Sequence, residues 1–225
     1  MITFAEYQKR MALIGLTNAS IAQYYQYTFC EVKWLDYLQN IFMPNLNQNS
    51  QDLRLIIMES CPGPSNTFPN QNYIFSNLNN FMHGIRDSYL WQTYRGVLMP
   101  NPAVPIAITK HDALVQLAQQ NVLLVDIIPT HQIDLSVNNL RQGVINNLIN
   151  IADASKINSL INYLNSIALN PFLIKSVTSL GSTYNPHLNI INNMIINSNY
   201  FGSMTDPTSH YPSYNLLINQ INNGF

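Results

Sequence analysis

The chain has 225 residues, 47 % of them hydrophobic and only 9 % charged, and its formal net charge is −1. At roughly 100–200 residues per domain this is one domain with enough apolar material for a large core, and its 32 Asn and 14 Gln outnumber 21 charged residues, so its polar surface is mostly neutral amide. Those figures exclude a basic field that steers nucleic acid from a distance, a stretch of the ~18 uncharged apolar residues that a membrane span needs, and, with Cys30 and Cys61 as its two cysteines, a disulfide scaffold, a four-Cys zinc site or an iron–sulfur cluster.

Residues 4–42 read as helical. Apolar and aromatic side chains recur there every three or four positions, from Met11 and Ile14 through Tyr24 and Tyr25 to Leu38 and Phe42. Thr17–Ser20 breaks the pattern into two helices and Pro44 ends it. The apolar run Met11–Leu16 behind Lys9 and Arg10 is short for a signal peptide, and Asn18 follows it. Asn45–Gln51 is a polar connector.

Residues 53–58 (LRLIIM) have the continuous apolar character of a buried parallel strand, and Glu-Ser-Cys-Pro-Gly-Pro follows as a loop. Leu78, Phe81, Met82, Ile85, Tyr89 and Leu90 predict a helix over 77–98. Asn101–Pro105 is a loop, and Thr109 caps a helix over 110–120. Residues 122–128 (VLLVDII) form the clearest strand, closed by Pro129. One or two helices over 137–168 precede a strand over 172–179, then a helix or loop over 186–197. The segment Asp206–Leu217 leads into a C-terminal helix. No period of 20–50 residues repeats, which excludes a solenoid.

Strands alternating with helices predict an α/β fold: a three-layer α/β/α arrangement around a short, mainly parallel central sheet. Sites in such sheets form beyond the carboxyl ends of the strands. That rule selects Glu59–Pro64, Asp126–His131, Leu180–Thr183 and Thr208–Ser213 as one edge. The glycine-rich phosphate loops, the GxSxG nucleophile elbow and the HExxH zinc motif do not occur, and the five histidines (83, 111, 131, 187 and 210) lack metal-ligand spacing. No cofactor is expected.

The candidate residues lie in those segments. Glu59, one of three Glu in the chain, follows a buried strand, where a carboxylate caps backbone N–H groups or meets water. Asp126 interrupts an apolar strand, as a satisfied core group or as a polar group that reads a ligand or activates water. His210 sits in a frame made by Pro207 and Pro212. Tyr73 and Phe75 are expected to face opposite ways, one into the core and the other free to stack on a ligand. Cys61 is a small buried residue or a nucleophile.

Taken together, these segments resemble the uracil-DNA glycosylase superfamily over about residues 53–217. Glu59-Ser60-Cys61-Pro62-Gly63 is similar to the first motif (GEAPG in one branch). Val125-Asp126-Ile127-Ile128-Pro129 is similar to the second, and Leu180-Gly181-Ser182-Thr183 to the strand ending LGS. Pro207-Thr208-Ser209-His210-Tyr211-Pro212-Ser213, running on to Leu216-Leu217, resembles the third, and is the most specific match. The helical segment at 1–50 is expected to pack as a cover on the α/β domain at 51–225, one compact unit overall, and the resemblance implies that this domain is glycosylase-like. It implies hydrolysis of the N-glycosidic bond of a damaged or deaminated base flipped out of DNA, as in base-excision repair.

The resemblance also implies roles. Asp126 contacts the base or water, and His210 stabilises the departing base. Glu59 and Ser60 shape the first loop or activate water. Cys61 and Pro62 line the base with Tyr73 or Phe75, and Ser182 and Ser213 hold phosphates. The partner implied is DNA carrying a modified base. Asp126 stands where uracil readers carry Asn, and Tyr211 separates His210 from Pro212. An ionised Asp only accepts hydrogen bonds, which points away from uracil and toward a base that offers donors.

Two other readings compete. In one, a non-catalytic member uses the same pocket to bind a nucleobase, a nucleotide or a protein. In the other, an unrelated α/β hydrolase or transferase uses Asp126 and His210 on small nucleosides. Two cysteines suit a reducing compartment, so a cytoplasmic location is expected, with no membrane partner.

Overall fold

The computed structural model describes residues 29–58, 73–82, 88–99, 107–126, 151–180, 182–205 and 213–225. Helix α1 (Phe29–Tyr37) continues through a π-helical turn, Leu38–Phe42, into a last turn, Met43–Asn45. The helix thus runs one residue past Pro44 rather than stopping at it. The wide turn, in which the Met43 N–H reaches the Leu38 carbonyl, lies just where a proline ring would crowd the preceding turn. The expected break at Thr17–Ser20 lies outside the described residues.

The sheet has four parallel strands: β1 (Asp52–Met58), β2 (Val122–Asp126), β3 (Leu173–Ser179) and β4 (Ser198–Ser203), in the spatial order β2-β1-β3-β4. Helices α2 (Ser88–Leu98), α3 (Lys110–Gln119), α4 (Ile151–Ile167), α5 (Leu188–Met194) and α6 (Tyr214–Asn222) complete a three-layer α/β/α fold. Helix α3 packs on β2, and α6 packs on β4 and on α2. Helix α4 buries Ile157, Ile161 and Leu164, at the i, i+4, i+7 spacing of one helical face. Among the described residues, no helix is long and apolar enough to cross a membrane.

β1 and β2 form where apolar runs predict them, and β3 forms within the strand expected over 172–179. β2 is buried throughout, and β1 and β3 are buried over their last four residues. β4 (SNYFGS) was not expected: it is mostly hydroxyl and amide, and its burial does not alternate. Its pairing with β3 slips between Ser176 and Val177, leaving Phe201 unpaired, and Gly202 beside it has φ +125°, a geometry open to glycine.

The helix expected over 77–98 begins at Ser88 in the described residues. Residues 77–80 instead form a turn in which Asn77 has φ +50° and the Asn80 N–H meets the Asn77 carbonyl. The chain then runs beside residues 108–111, with Met82 N–H on Ile108 O and Lys110 N–H on Asn80 O, both at 2.9 Å. A left-handed residue stops a helix whatever the apolar spacing around it. Thr109 caps α3 as expected, its hydroxyl accepting from the Asp112 N–H.

The outer edge of β2 is sealed by side chains of α1. The Trp34 indole N–H donates to the Leu124 carbonyl at 3.0 Å, and the Leu124 N–H makes a long contact of 3.5 Å with the Tyr37 hydroxyl. These two groups stand where a neighbouring strand would bond. At the other end of the strand, buried Asn121 (φ +54°) accepts from Asn47 N–H and donates to the carbonyls of Asn47 and Asp52. It ties the α3–β2 turn to the start of β1.

Candidate functional site

The strands of a parallel sheet bring residues in register onto one face. Met58 lies opposite Asp126 on one side and Ser179 on the other. Asp126, Met58 and Ser179 therefore form a row at the carboxyl edge, with the two polar residues about 10 Å apart across Met58. Ser213 joins this edge: its N–H bonds the Met204 carbonyl at 2.6 Å, and the Met204 N–H bonds the Thr178 carbonyl at 2.8 Å. Among the described residues, Asp126, Leu180 and Ser213, from three of the four segments selected by the strand-end rule, thus lie at or next to this edge; Glu59 and Thr208 lie outside the described residues.

Asp126 is 4 % exposed and Tyr73 is 3 % exposed. The Tyr73 hydroxyl donates to the Asp126 Oδ2 in a short hydrogen bond. Burial pushes the Asp126 carboxyl up to about 7, and the bond from Tyr73 offsets only part of that rise. Burial, and then the Asp126 charge, push the Tyr73 phenol well above its usual range. Near neutral pH, then, Asp126 exchanges its proton while Tyr73 keeps its own. A carboxyl group so poised serves as acid or base and, when protonated, both donates and accepts.

Tyr73 is held from behind. Its carbonyl accepts from the Ser76 N–H (3.0 Å), the Ser76 hydroxyl (2.9 Å) and the Lys110 ammonium (3.2 Å). Lys110, 1 % exposed at the first position of α3, also reaches the Ser76 carbonyl at 3.5 Å. Residues 73–76 form this turn and not a strand, on which residues two apart would share a face, so the expectation of opposite strand faces for Tyr73 and Phe75 is corrected. Phe75 is the core member, stacked on Tyr37 with centroids 4.5 Å apart and set edge-on to Tyr73 at 5.3 Å. Phe75 does not form a stacking floor, and the Tyr73 ring turns its hydroxyl to Asp126.

A second set of polar groups runs along β3 and β4. Ser176 accepts from Ser198 at 2.8 Å, Thr178 pairs with Tyr200 at 3.1 Å, and Thr205 donates to Ser179 at 3.4 Å. Ser213 is the N-cap of α6, its hydroxyl accepting from the Leu216 N–H. Ser182 opens the 3₁₀ turn Ser182–His187. Glu59, Ser60, Cys61, Pro62 and His210 lie outside the described residues.

Sequence reasoning missed Arg95. Its guanidinium lies 4.9 Å from the ring centroid of Tyr214, the first residue of α6, and 5.7 Å from that of Trp91. Its position on α2 carried no signal, because the α2–α6 contact is made by tertiary packing. Among the described residues no three His, Cys, Asp or Glu gather as a metal site would need.

Comparison with known protein families, curated proteins and solved structures finds no match to this chain.

Proposed function

We propose that this chain is a DNA glycosylase-like hydrolase that receives a flipped-out base at the carboxyl edge of its sheet, with Asp126 reading the base or positioning water. The observation that carries this reading is the buried Asp126 carboxyl, balanced near neutrality and held by Tyr73 at a strand end. Protonated, it offers a base edge one donor and one acceptor, the pair that an amide would offer. The substitution of Asp for Asn in the second motif is thereby compatible with a uracil-like edge as well as with a donor-rich one.

In the reaction, water adds to the sugar C1′ as the glycosidic bond breaks. The base leaves with the bonding electron pair and takes up a proton. His210 is assigned to the departing base, and Glu59 and Ser60 to the loop and the water. Cys61 and Pro62 are assigned to the base pocket, and Ser182 and Ser213 to phosphates. The hydroxyl of Tyr73 is committed to Asp126, so its part is to hold that carboxyl. Arg95, stacked on the first residue of α6, adds one positive group near Ser213. A cytoplasmic setting fits this reading.

The test is single-turnover cleavage of oligonucleotides that each carry one uracil, hypoxanthine, xanthine or alkylated base, with abasic sites revealed by hot alkali. Release of one base by the wild type, lost in Asp126→Ala and in His210→Ala, is expected. No release of any base at stoichiometric protein overturns the enzyme reading.

The scarcity of charge favours a second reading, a non-catalytic binder of a nucleobase or nucleotide. Ten basic against eleven acidic residues give little purchase on a phosphate backbone. A DNA enzyme loses duplex affinity steeply as salt rises, whereas a nucleobase binder takes the free base and ignores duplex.

A further inference from the structure

An amide fixes its own polarity: in Asn the nitrogen donates and the oxygen accepts. A neutral carboxylic acid does not, because its proton can sit on either oxygen. Asp126 is such an acid at the end of β2, so its surroundings must set which oxygen donates. Among the described residues one group meets this carboxyl. The Tyr73 hydroxyl reaches Oδ2, and Oδ1 is left without a partner.

The directing hydroxyl is fixed in place. The Tyr73 carbonyl carries its three hydrogen bonds, and the ring lies edge-on to Phe75, which stacks on Tyr37 of α1. All three rings are buried. The other titratable groups packed around this end are engaged elsewhere. The Lys110 ammonium of α3 bonds the carbonyls of Tyr73 and Ser76, and the Tyr37 hydroxyl meets the Leu124 N–H. Met58, level with Asp126 on β1, carries no charge.

The two protonation states then follow from one hydroxyl orientation. An ionised Asp126 only accepts, so Tyr73 has to be the donor. Burial and the nearby carboxyl push the phenol well above its usual range, so it keeps that proton. A second proton placed on Oδ2 would face the phenol proton along the same bond. Placed on Oδ1, it leaves Oδ2 a carbonyl oxygen, and the Tyr73 bond survives intact.

We propose that Tyr73 is a positioning residue that puts the proton of neutral Asp126 on Oδ1, so that Oδ1 is the donor this acid offers to a ligand. The inference rests on the reading that a ligand meets Asp126 at this edge. The ligand so selected sets an acceptor, a carbonyl oxygen or an unprotonated ring nitrogen, against Oδ1. Without Tyr73 the proton is free to take either oxygen, and the acid loses the fixed polarity that an Asn would have.

The test is infrared spectroscopy of the full chain at about pH 5, below the folded Asp126 value of about 7. Wild type and Tyr73→Phe are each read against the same chain carrying Asp126→Asn, which identifies the Asp126 band by its loss. The wild type is expected to show one carboxylic C=O band, lowered by the phenol bond to Oδ2. Tyr73→Phe is expected to raise that band, because its carbonyl is freed. Should Tyr73→Phe not fold, the wild-type band decides by itself against the frequency of a carbonyl with no hydrogen bond. A wild-type band at that free frequency, two bands, no Asp126 band, or a band that a folded Tyr73→Phe leaves in place overturns the proposal. The readout needs neither DNA nor base release, so failure of the glycosylase reading and failure of this inference are told apart.

Discussion

The Tyr73 hydroxyl and the Asp126 carboxyl, 53 residues apart in the chain, meet in a buried hydrogen bond at the carboxyl end of β2. The bond gives the carboxyl a single donor among the described residues, too little to compensate its removal from water. The result is an acid that gives up its proton near neutrality and not near its ordinary value of 3.8. Its place at a strand end, its burial and its titration together distinguish it from a surface carboxylate.

That titration is a stability statement. The folded value, about 7, lies above the ordinary 3.8. Below about pH 4 both folded and unfolded chains hold the proton, and the contribution of Asp126 to stability is whole. Between there and pH 7 the folded chain holds a proton that the unfolded chain has lost, so stability falls as pH rises and then levels off. The difference between the two values corresponds to roughly 4 kcal/mol at most. Urea unfolding of wild type and Asp126→Asn between pH 4.5 and 8 isolates the effect, because the amide still accepts from Tyr73. The wild type is expected to lose stability relative to the variant as pH rises; parallel curves contradict the assignment.

Trp34→Phe removes the donor from the Leu124 carbonyl. Leaving that group unpaired at a buried edge costs about 1–3 kcal/mol. Denaturant unfolding gives the loss. Hydrogen exchange locates it, with protection falling first at β2 amides. A uniform fall across all four strands would show that the indole bond is not what closes this edge.

Asn121 performs two tasks that substitution separates. Its backbone is left-handed and its side chain makes three hydrogen bonds. Asn121→Gly keeps the first and loses the second, whereas Asn121→Ala loses both. Ala is expected to be the less stable of the two by about 1 kcal/mol, with both below wild type by roughly 2 kcal/mol or more. Equal stabilities for Ala and Gly would remove the backbone part of this account.

Gly96 lets α2 approach α6. A Cβ at this position would run into the Leu217 side chain, whose Cγ would lie 2.9 Å away. Leu217 is fully buried, so Gly96→Ala is expected to cost about 1–3 kcal/mol. Shortening the partner relieves the clash. In a double-mutant cycle with Leu217→Ala, the two losses should therefore fall short of additive. Additive losses would mean that the helices are not in contact there.

How much of this was legible in the residues varies by element. β1 and β2 were, because parallel strands buried on both faces read as apolar runs; β3 was placed as well, although four of its seven residues (LIKSVTS) are polar. Asp126 was legible as the interruption of such a run, and Thr109 as a helix cap. β4 was not: its Ser, Asn and Gly residues owe their extended form to pairing with β3 and not to local preference. The turn at Asn77–Asn80 hid under a helical spacing of Leu78, Phe81 and Met82. The seal of Trp34 on Leu124, the bond of Tyr73 to Asp126 and the stacking of Arg95 on Tyr214 join positions far apart in the chain, and no local pattern announces them.

The most direct measurement is the pH titration of the Asp126 side-chain carboxyl by carbon-13 NMR, in wild type and in Tyr73→Phe. The account predicts a wild-type midpoint near 7 and a higher one in the variant, since losing Tyr73 removes the donor that lowers it. A wild-type midpoint near 4, or no movement in Tyr73→Phe, would contradict the claim that Asp126 is a buried acid governed by Tyr73.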